Sequence, residues 1–361
     1  MISGRKTGLW LLALFAAILV VATFLWFRYD RVPMNVAYVT EEDDGISVID
    51  LSSLRIVRRV HPADVAPRGI GVTFDGKYII TADKDTADVA VFSTPRLKLV
   101  TRIHIGDNPE FIKIDPTGER LFATFEPGSE AGPPKESAVG DEEDDNDATE
   151  PPAQVASFHT GDWAAGPVST AGKETEGLEF SPDRRFLLVA NEAQNTIGVF
   201  NESTGAHVRD IDLQTYGRRP RGVKVSPDGT RYAVTMEGSG TLLLLDASFS
   251  VLKSVQTAAK PYGVAFDRSG KHIFVSAAAA RKLQVFAADS LQLLAEIPIG
   301  QRCWHFTFTP DDSKILLACG RSNNVVVVDA NSYKQLQAIS GFSTPWGIVT
   351  YPTSYGSLGR P

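Results

Sequence analysis

Charged and aromatic side chains recur at short bends along the chain, and these bends are where we look first for chemistry. Arginine can donate two parallel hydrogen bonds to a carboxylate or a phosphate. If the bends come together, they could therefore bind a small anion or a polar ligand. Alternatively, neighbouring arginines and glutamates pair with each other, as Arg68–Glu110 and Arg221–Glu176, and the aromatic rings fill the space. The candidate ligand-binding residues are Arg68, Glu110, Glu176, Arg221, Tyr262, Trp304, His305 and Trp346.

No sequence motif for cofactor or nucleophile chemistry accompanies these residues. The chain lacks C-x-x-C-H for covalent haem, the G-x-x-x-x-G-K-[ST] phosphate loop and the G-x-S-x-G nucleophile turn. Its six histidines include no pair at metal-ligand spacing, although a metal site assembled from distant parts of the chain stays open. We therefore predict no catalytic residue, no metal and no cofactor from sequence motifs.

The bends belong to an internal repeat. Each is followed by an alternating apolar strand, a turn close to S-P-D-G and further short strands bounded by Gly, Asp or Pro, which is typical of antiparallel β-structure. The bends start 42, 66, 45, 41, 41 and 43 residues apart. Four strands in about 40 residues correspond to one propeller blade. The bends begin at Pro67, Pro109, Thr175, Pro220, Pro261, Arg302 and Pro345.

The two ends of the repeat region complete each other. NVAYVTEED, GISVID and RIVRRV supply three strands that lack a first one, and WGIVTYP supplies a first strand that lacks the other three. Pairing them in one blade closes the ring and leaves no exposed sheet edge there. The sequence therefore predicts an all-β, seven-bladed β-propeller over residues 34–352, followed by a flexible tail at 353–361.

The repeat resembles a known family. AYVTEEDDGISVIDLSSLRIVRRV is similar to the YVTN-type β-propeller repeat. The order of the bends along the chain, from PEFIKIDPTG to IPIGQRCWHFTFTPDD and TPWGIV, resembles that of the PQQ-dependent catabolism-associated β-propeller proteins. The resemblance implies a periplasmic protein beside quinoprotein alcohol oxidation, with a cytochrome or a quinoprotein dehydrogenase as partner. The repeated tryptophan motifs of propellers that hold PQQ are missing, so we expect no PQQ in this chain.

Charge is concentrated in one insertion. Residues 127–150 carry nine acids against one lysine, and the rest of the chain is close to neutral. The absence of a basic field argues against nucleic acid as a partner. Because like charges with Pro and Gly cannot bury apolar surface, we predict a disordered acidic loop. Such a loop could also dock a basic partner or hold Ca²⁺ weakly.

The N-terminus predicts a membrane anchor over residues 1–31. Gly8 to Phe27 contains no charged residue, and a helix of that length would cross a bilayer's hydrocarbon core. Arg5 and Lys6 precede it, which favours a cytoplasmic N-terminus and a periplasmic propeller held at the inner membrane. A cleaved signal peptide is the alternative, but cleavage after Ala22 would leave an apolar end.

The two cysteines are predicted to lie close together. Cys303 and Cys319 are almost equidistant from the turn between Asp311 and Asp312, so they would face each other on consecutive strands. An oxidising compartment would permit a disulfide between them, and two buried free thiols are the alternative.

Two functional hypotheses follow from the repeat. With no catalytic motif, we favour a membrane-tethered, non-enzymatic binding platform. The alternative is a lactonase-type hydrolase with its site at the mouth of the central channel, since seven-bladed propellers also host lactonases.

Overall fold

The computed structural model describes residues 31–63, 65–128, 151–354 and 356. This part of the chain forms seven four-stranded antiparallel sheets. The predicted all-β, seven-bladed propeller is therefore confirmed. Within the same residues no helix has both the length and the apolar character needed to cross a membrane. The anchor helix predicted over residues 8–27 and most of the acidic insertion lie outside the described residues.

One blade joins the two ends of the chain, as the sequence predicts. Its strands, from the channel outward, are β28 (Pro345–Tyr351), β1 (Val36–Glu41), β2 (Gly45–Asp50) and β3 (Arg55–Val60). Ala37 faces Thr350 and Val39 faces Ile348 across the closing pair. We call this blade 7.

Each of the other six blades is a continuous stretch of chain whose strands follow sequence order outward. Blade 1 contains β4 (Pro67–Val72), β5 (Tyr78–Asp83), β6 (Asp88–Ser93) and β7 (Lys98–His104). Blade 2 contains β8 (Ile112–Ile114), β9 (Arg120–Phe125), β10 (Gln154–His159) and β11 (Ala165–Thr170). Blade 3 contains β12 (Thr175–Phe180), β13 (Phe186–Asn191), β14 (Thr196–Asn201) and β15 (His207–Asp212).

Blades 4 to 6 repeat the arrangement. Blade 4 contains β16 (Pro220–Val225), β17 (Arg231–Met236), β18 (Thr241–Asp246) and β19 (Val251–Gln256). Blade 5 contains β20 (Pro261–Phe266), β21 (His272–Ala277), β22 (Lys282–Ala287) and β23 (Leu293–Pro298). Blade 6 contains β24 (Cys303–Phe308), β25 (Lys314–Cys319), β26 (Asn324–Asp329) and β27 (Gln335–Ser340). Short 3-10 helices, Glu237–Ser239 and Gly320–Ser322, follow β17 and β25.

Burial decreases from the channel to the rim. The innermost strands of successive blades pack side by side, for example β12 against β16 and β28 against β4. Their residues are mostly buried, whereas β3 alternates between exposed and half-buried positions. The blades therefore bury their apolar residues against one another, and the main hydrophobic core lies between the sheets.

The S-P-D-G turns end the innermost strands on one face of the propeller. In blade 4, Ser226 Oγ donates to Asp228 Oδ1 at 2.6 Å, and Gly229 takes the left-handed conformation with φ of +71°. The Ser226 hydrogen bond is the main reason that the pKa of Asp228 falls to about 2. Because the strands run from the bends to these turns, all the bends lie on the opposite face.

Blade 6 contains a disulfide bond and contacts the segment that follows β28. Cys303 faces Cys319 across β24 and β25, and their sulfur atoms are bonded in a disulfide. Ser354, near the start of the segment predicted as a tail, is buried. Its Oγ lies 2.8 Å from Thr350 Oγ1. Gly356 forms an antiparallel bridge with Thr307, so the chain after β28 packs against β24.

Candidate functional site

All eight predicted residues lie at one end of the channel, seven of them at matching positions of the seven blades and His305 directly after Trp304. In six blades, the residue at the matching position is the second residue of its innermost strand, and Glu110 occupies the corresponding place just before β8. In blade 4 the pairing register shifts between Pro220 and Val223, so the residues between them leave the regular ladder. We call the set the mouth ring. It consists of Arg68, Glu110, Glu176, Arg221, Tyr262, Trp304 and Trp346.

Glycine follows the mouth residue in five blades because neighbouring backbones approach closely there. A Cβ on Gly222 would lie 2.6 Å from the Tyr262 carbonyl oxygen, and one on Gly177 would lie 2.4 Å from the Arg221 carbonyl oxygen. These contacts are too short for any other residue. The two exceptions are Phe111 and His305, whose side chains contact each other.

Arg221 is the centre of a buried ion-pair network. Its Nε donates to Glu237 Oε2 at 2.6 Å, and its Nη1 lies 2.6 Å from Glu192 Oε2 and also contacts Glu176 Oε1. Burial opposes the positive charge, but the surrounding carboxylates outweigh it and raise the pKa of Arg221. The predicted Arg221–Glu176 pair is present. Glu192 and Glu237 were missed from the sequence, although both directly follow second strands that end on the same face.

The carboxylates of this network differ in their electrostatic state. Burial favours the neutral form of Glu237, but Arg221 reverses this and lowers the pKa of that carboxyl group. For Glu192, burial prevails over the attraction of Arg219 and raises the pKa. The network therefore depends on Arg221 to keep several desolvated carboxylates close together.

Arg68 forms a second, smaller network on another side of the mouth. Its Nε donates to Glu42 Oε1 at 2.8 Å and its Nη1 donates to Asn108 Oδ1 at 3.1 Å. Glu110 Oε1 lies 3.5 Å from the same Nη1, so the predicted Arg68–Glu110 pair is present but long. Glu42 and Asn108 were not predicted because neither lies within the bend pattern.

Aromatic side chains close the channel beneath the charged groups. Tyr262 stacks on Trp304 with ring centres 5.2 Å apart, and its hydroxyl donates to Glu176 Oε2 at 2.5 Å. The His305 ring lies 5.2 Å from Phe111, 5.3 Å from Tyr262 and 4.1 Å from Trp346, measured between centres. We call Phe111, Tyr262, His305 and Trp346 the channel plug. Side chains from blades 2, 5, 6 and 7 therefore meet in one aromatic cluster at this end of the propeller.

His305 is an uncharged imidazole within the plug. It is 1% exposed, and neither ring nitrogen has a hydrogen-bond partner among the described residues. Burial, with a smaller contribution from the Arg221 charge, lowers the pKa of His305 to about 3. The ring is therefore neutral at physiological pH and keeps one donor and one acceptor.

A buried charged cluster lies three residues further along three innermost strands. Lys113 Nζ is 3.3 Å from Glu179 Oε1, and Lys224 Nζ is 3.7 Å from Glu179 Oε2. Burial and the neighbouring Lys113 lower the pKa of Lys224 well below its usual range. The cluster joins blades 2, 3 and 4 beneath the mouth. In the described residues no group of three or more His, Cys, Asp or Glu side chains is arranged to hold a metal ion.

Comparison with known proteins connects the fold to a family of hydrolases. Residues 153–265 match the family model described as Lactonase, 7-bladed beta-propeller. This segment is just under a third of the chain, and it supplies Glu176, Arg221 and Tyr262 to the mouth ring. No curated protein matches the chain.

Solved structures with the same fold share little sequence with the chain. A functionally unknown protein from Desulfotomaculum acetoxidans is 15% identical with a TM-score of 0.72, and the alignment covers 87% of this chain and 98% of that one. The periplasmic gluconolactonase of Pseudomonas aeruginosa is 16% identical with a TM-score of 0.68, covering 88% and 98%. Kuenenia stuttgartiensis hydrazine synthase is 18% identical with a TM-score of 0.64, covering 81% and 95%.

The match corrects our favoured functional hypothesis. The non-enzymatic platform was preferred because no catalytic motif is visible, but the matched family is one of lactonases, which supports the alternative. The physical reason for the error is that a propeller assembles its site from single residues on separate blades, so no contiguous motif is needed. The closer resemblance to the YVTN repeat and the PQQ-associated proteins is not confirmed.

Proposed function

We propose that the chain is a lactone hydrolase whose active site is the mouth ring. The observation that carries this proposal is the lactonase match over residues 153–265, which contain the whole Arg221 network. Arginine and carboxylate side chains provide the two functions that ester hydrolysis requires, charge stabilisation and proton transfer.

Glu110 is the carboxylate best placed to act as the general base. Glu176 accepts from Tyr262 and pairs with Arg221, and Glu192 and Glu237 also contact Arg221. Glu110 instead lies 3.5 Å from Arg68, which is longer than a strong charge-assisted hydrogen bond. Its side chain is 14% exposed, so water can reach it.

The reaction follows from this placement. Glu110 takes a proton from a water molecule as the water oxygen bonds to the lactone carbonyl carbon. The bond between that carbon and the ring oxygen then breaks, and the ring oxygen leaves as a hydroxyl group after taking that proton from Glu110. The product is an open hydroxy acid, which is ionised at neutral pH.

Initial-rate assays on five- and six-membered lactones test the function. We expect the full-length chain to hydrolyse at least one of them above the spontaneous rate, and Glu110→Gln to lower kcat/KM about a hundredfold or more. Glu202→Gln is the matched control, since Glu202 pairs with Arg120 at 2.6 Å on the opposite face. Unchanged activity in Glu110→Gln would remove the assigned base, and no turnover of any lactone would refute the function.

We further propose that the hydrolase is held at the periplasmic side of the inner membrane. The uncharged stretch from Gly8 to Phe27 and the Cys303–Cys319 disulfide, which suits an oxidising compartment, support this proposal. In bacterial cells, we expect the chain to stay with membranes after a carbonate wash and to be digested by protease added to spheroplasts. Recovery in the cytosolic fraction would contradict it.

A further inference from the structure

Arg302 differs from the other arginines of the mouth in having no carboxylate on its guanidinium. It directly precedes β24, and its Nη2 is enclosed without a hydrogen-bond partner among the described residues. Arg68 and Arg221, in contrast, each contact at least two carboxylates. A guanidinium with an uncommitted N–H is suited to an oxyanion, because the planar fork matches carboxylate geometry.

The position of Arg302 is fixed before any ligand arrives. Its guanidinium carbon lies 3.9 Å from the centre of the Trp304 ring, and Trp304 stacks in turn on Tyr262. Its backbone has φ of +55°, and its carbonyl accepts from the Gly320 N–H at 3.0 Å. A preorganised donor of this kind loses little conformational entropy when it binds an anion.

The positive charge of Arg302 is poorly solvated, because the guanidinium is largely buried. Burial lowers the pKa of its guanidinium, Glu42 opposes the shift, and Arg321 and Arg68 add to it. Arg68 behaves in the opposite way, since its neighbouring carboxylates overcome burial and raise its pKa. Added negative charge would therefore be favourable beside Arg302. Arg68, whose charge acts on Arg302, also lies 3.5 Å from Glu110.

We propose that Arg302 binds the negative charge created by lactone opening, first on the carbonyl oxygen and then on the product carboxylate. This inference rests on the proposed hydrolase function. The lactone is uncharged at its reacting group, whereas the tetrahedral intermediate and the hydroxy acid each carry one negative charge. A donor that strengthens its hydrogen bond as this charge develops lowers the barrier more than it strengthens substrate binding.

Three variants test this role. We expect Arg302→Met to lower kcat/KM about a hundredfold and Arg302→Lys to recover part of the loss, because lysine keeps the charge without the planar fork. Arg231→Met is the control, because Arg231 pairs with Asp289 on the opposite face, and it should change kcat/KM less than threefold. Arg302→Met should also unfold at the same temperature as the parent or a higher one, since it removes a partly buried charge without a carboxylate partner.

Calorimetric binding of the hydroxy acids 4-hydroxybutyrate and gluconate separates this inference from the function itself. We expect Arg302→Met to weaken their affinity at least tenfold, and Arg231→Met to leave it unchanged. Equal product affinity and equal turnover in Arg302→Met and the parent would overturn the role. If the parent hydrolyses no lactone, the proposed function fails. In that case, hydroxy acids that bind the parent but not Arg302→Met would still support the anion site. If they do not bind the parent either, the anion site is refuted as well.

Discussion

Replacing Arg221 by methionine is expected to destabilise the propeller by about 3–5 kcal/mol at neutral pH. The change removes the cation that contacts Glu176, Glu192 and Glu237 at the same time. These carboxylates have side chains that are 7%, 1% and 12% exposed, so water cannot replace the lost partner. Methionine has a similar length, which limits the cavity that forms. Glu192 keeps Arg219, and Glu176 keeps the Tyr262 hydroxyl. The loss therefore reports buried negative charge that these remaining partners do not fully compensate.

Urea unfolding at pH 7.5 measures this effect. Arg231→Met is the matched control, because Arg231 pairs with Asp289, whose side chain is 92% exposed, and such a pair contributes about 1 kcal/mol or less. The defect of Arg221→Met should shrink toward pH 5, where protonation relieves the repulsion among the carboxylates. A loss no greater than that of Arg231→Met would show that the network adds no stability. It would also permit Arg221 to be tested for catalysis without a folding defect.

The second large effect is a dependence of stability on pH that His305 introduces. Burial, followed by the charge of Arg221, lowers the pKa of His305 to about 3 in the folded chain, whereas an unfolded histidine titrates near pH ~6.5. As the pH falls below the pKa of the unfolded chain, the imidazole becomes protonated in the unfolded chain but stays neutral in the folded one. Stability is therefore lost between pH ~6.5 and about 3. Between pH 7 and pH 4 the loss amounts to about 3 kcal/mol.

Comparing the parent with His305→Phe isolates this contribution. Phenylalanine fits among the aromatic rings of the plug and does not titrate, so the variant should lose about 3 kcal/mol less than the parent between pH 7 and pH 4. His159→Phe is the control, since it makes the same substitution at an exposed position, at the end of β10 and outside the plug. Parallel stability curves for the parent and His305→Phe would mean that His305 gains a proton in the folded state.

Stability and catalysis depend on different residues of the same site. Arg221 and His305 are held by the fold, and their removal changes its stability. Glu110 and Arg302 make fewer contacts with the protein, so their removal should change turnover more than folding. A site of this kind keeps a rigid surround, and its reactive groups form fewer contacts with the protein.

The fold could be predicted from sequence because it repeats a local pattern. Period-two alternation and regularly spaced turns define each strand, and burial of the apolar face fixes the register. The three strands that begin at Val36 and the single strand that begins at Pro345 are each an incomplete blade. Counting strands therefore predicted that they join in one blade. The opposition of Cys303 and Cys319 followed from the centre of their shared turn, because antiparallel pairing is symmetric about it.

The mouth ring could be predicted only in part. The second residue of each innermost strand is defined by the repeat, so Arg68 and Arg221 could be placed with their neighbouring glutamates. Glu192 and Glu237 come from the ends of second strands, and Glu42 comes from the blade that closes the ring. All three directly follow the second strand of a blade, so they share a repeat position, but whether that position reaches the mouth depends on how the blades pack.

The sequence by itself determined seven blades, their closure and the set of residues at the bends, because each depends on spacing along the chain. Tertiary structure alone decided which arginines are neutralised. It also decided that, within the described part of the chain, the buried His305 ring and one Arg302 N–H group have no hydrogen-bond partner. The physical reason is that desolvation and ion pairing depend on distances between blades, and side chains far apart in sequence set those distances.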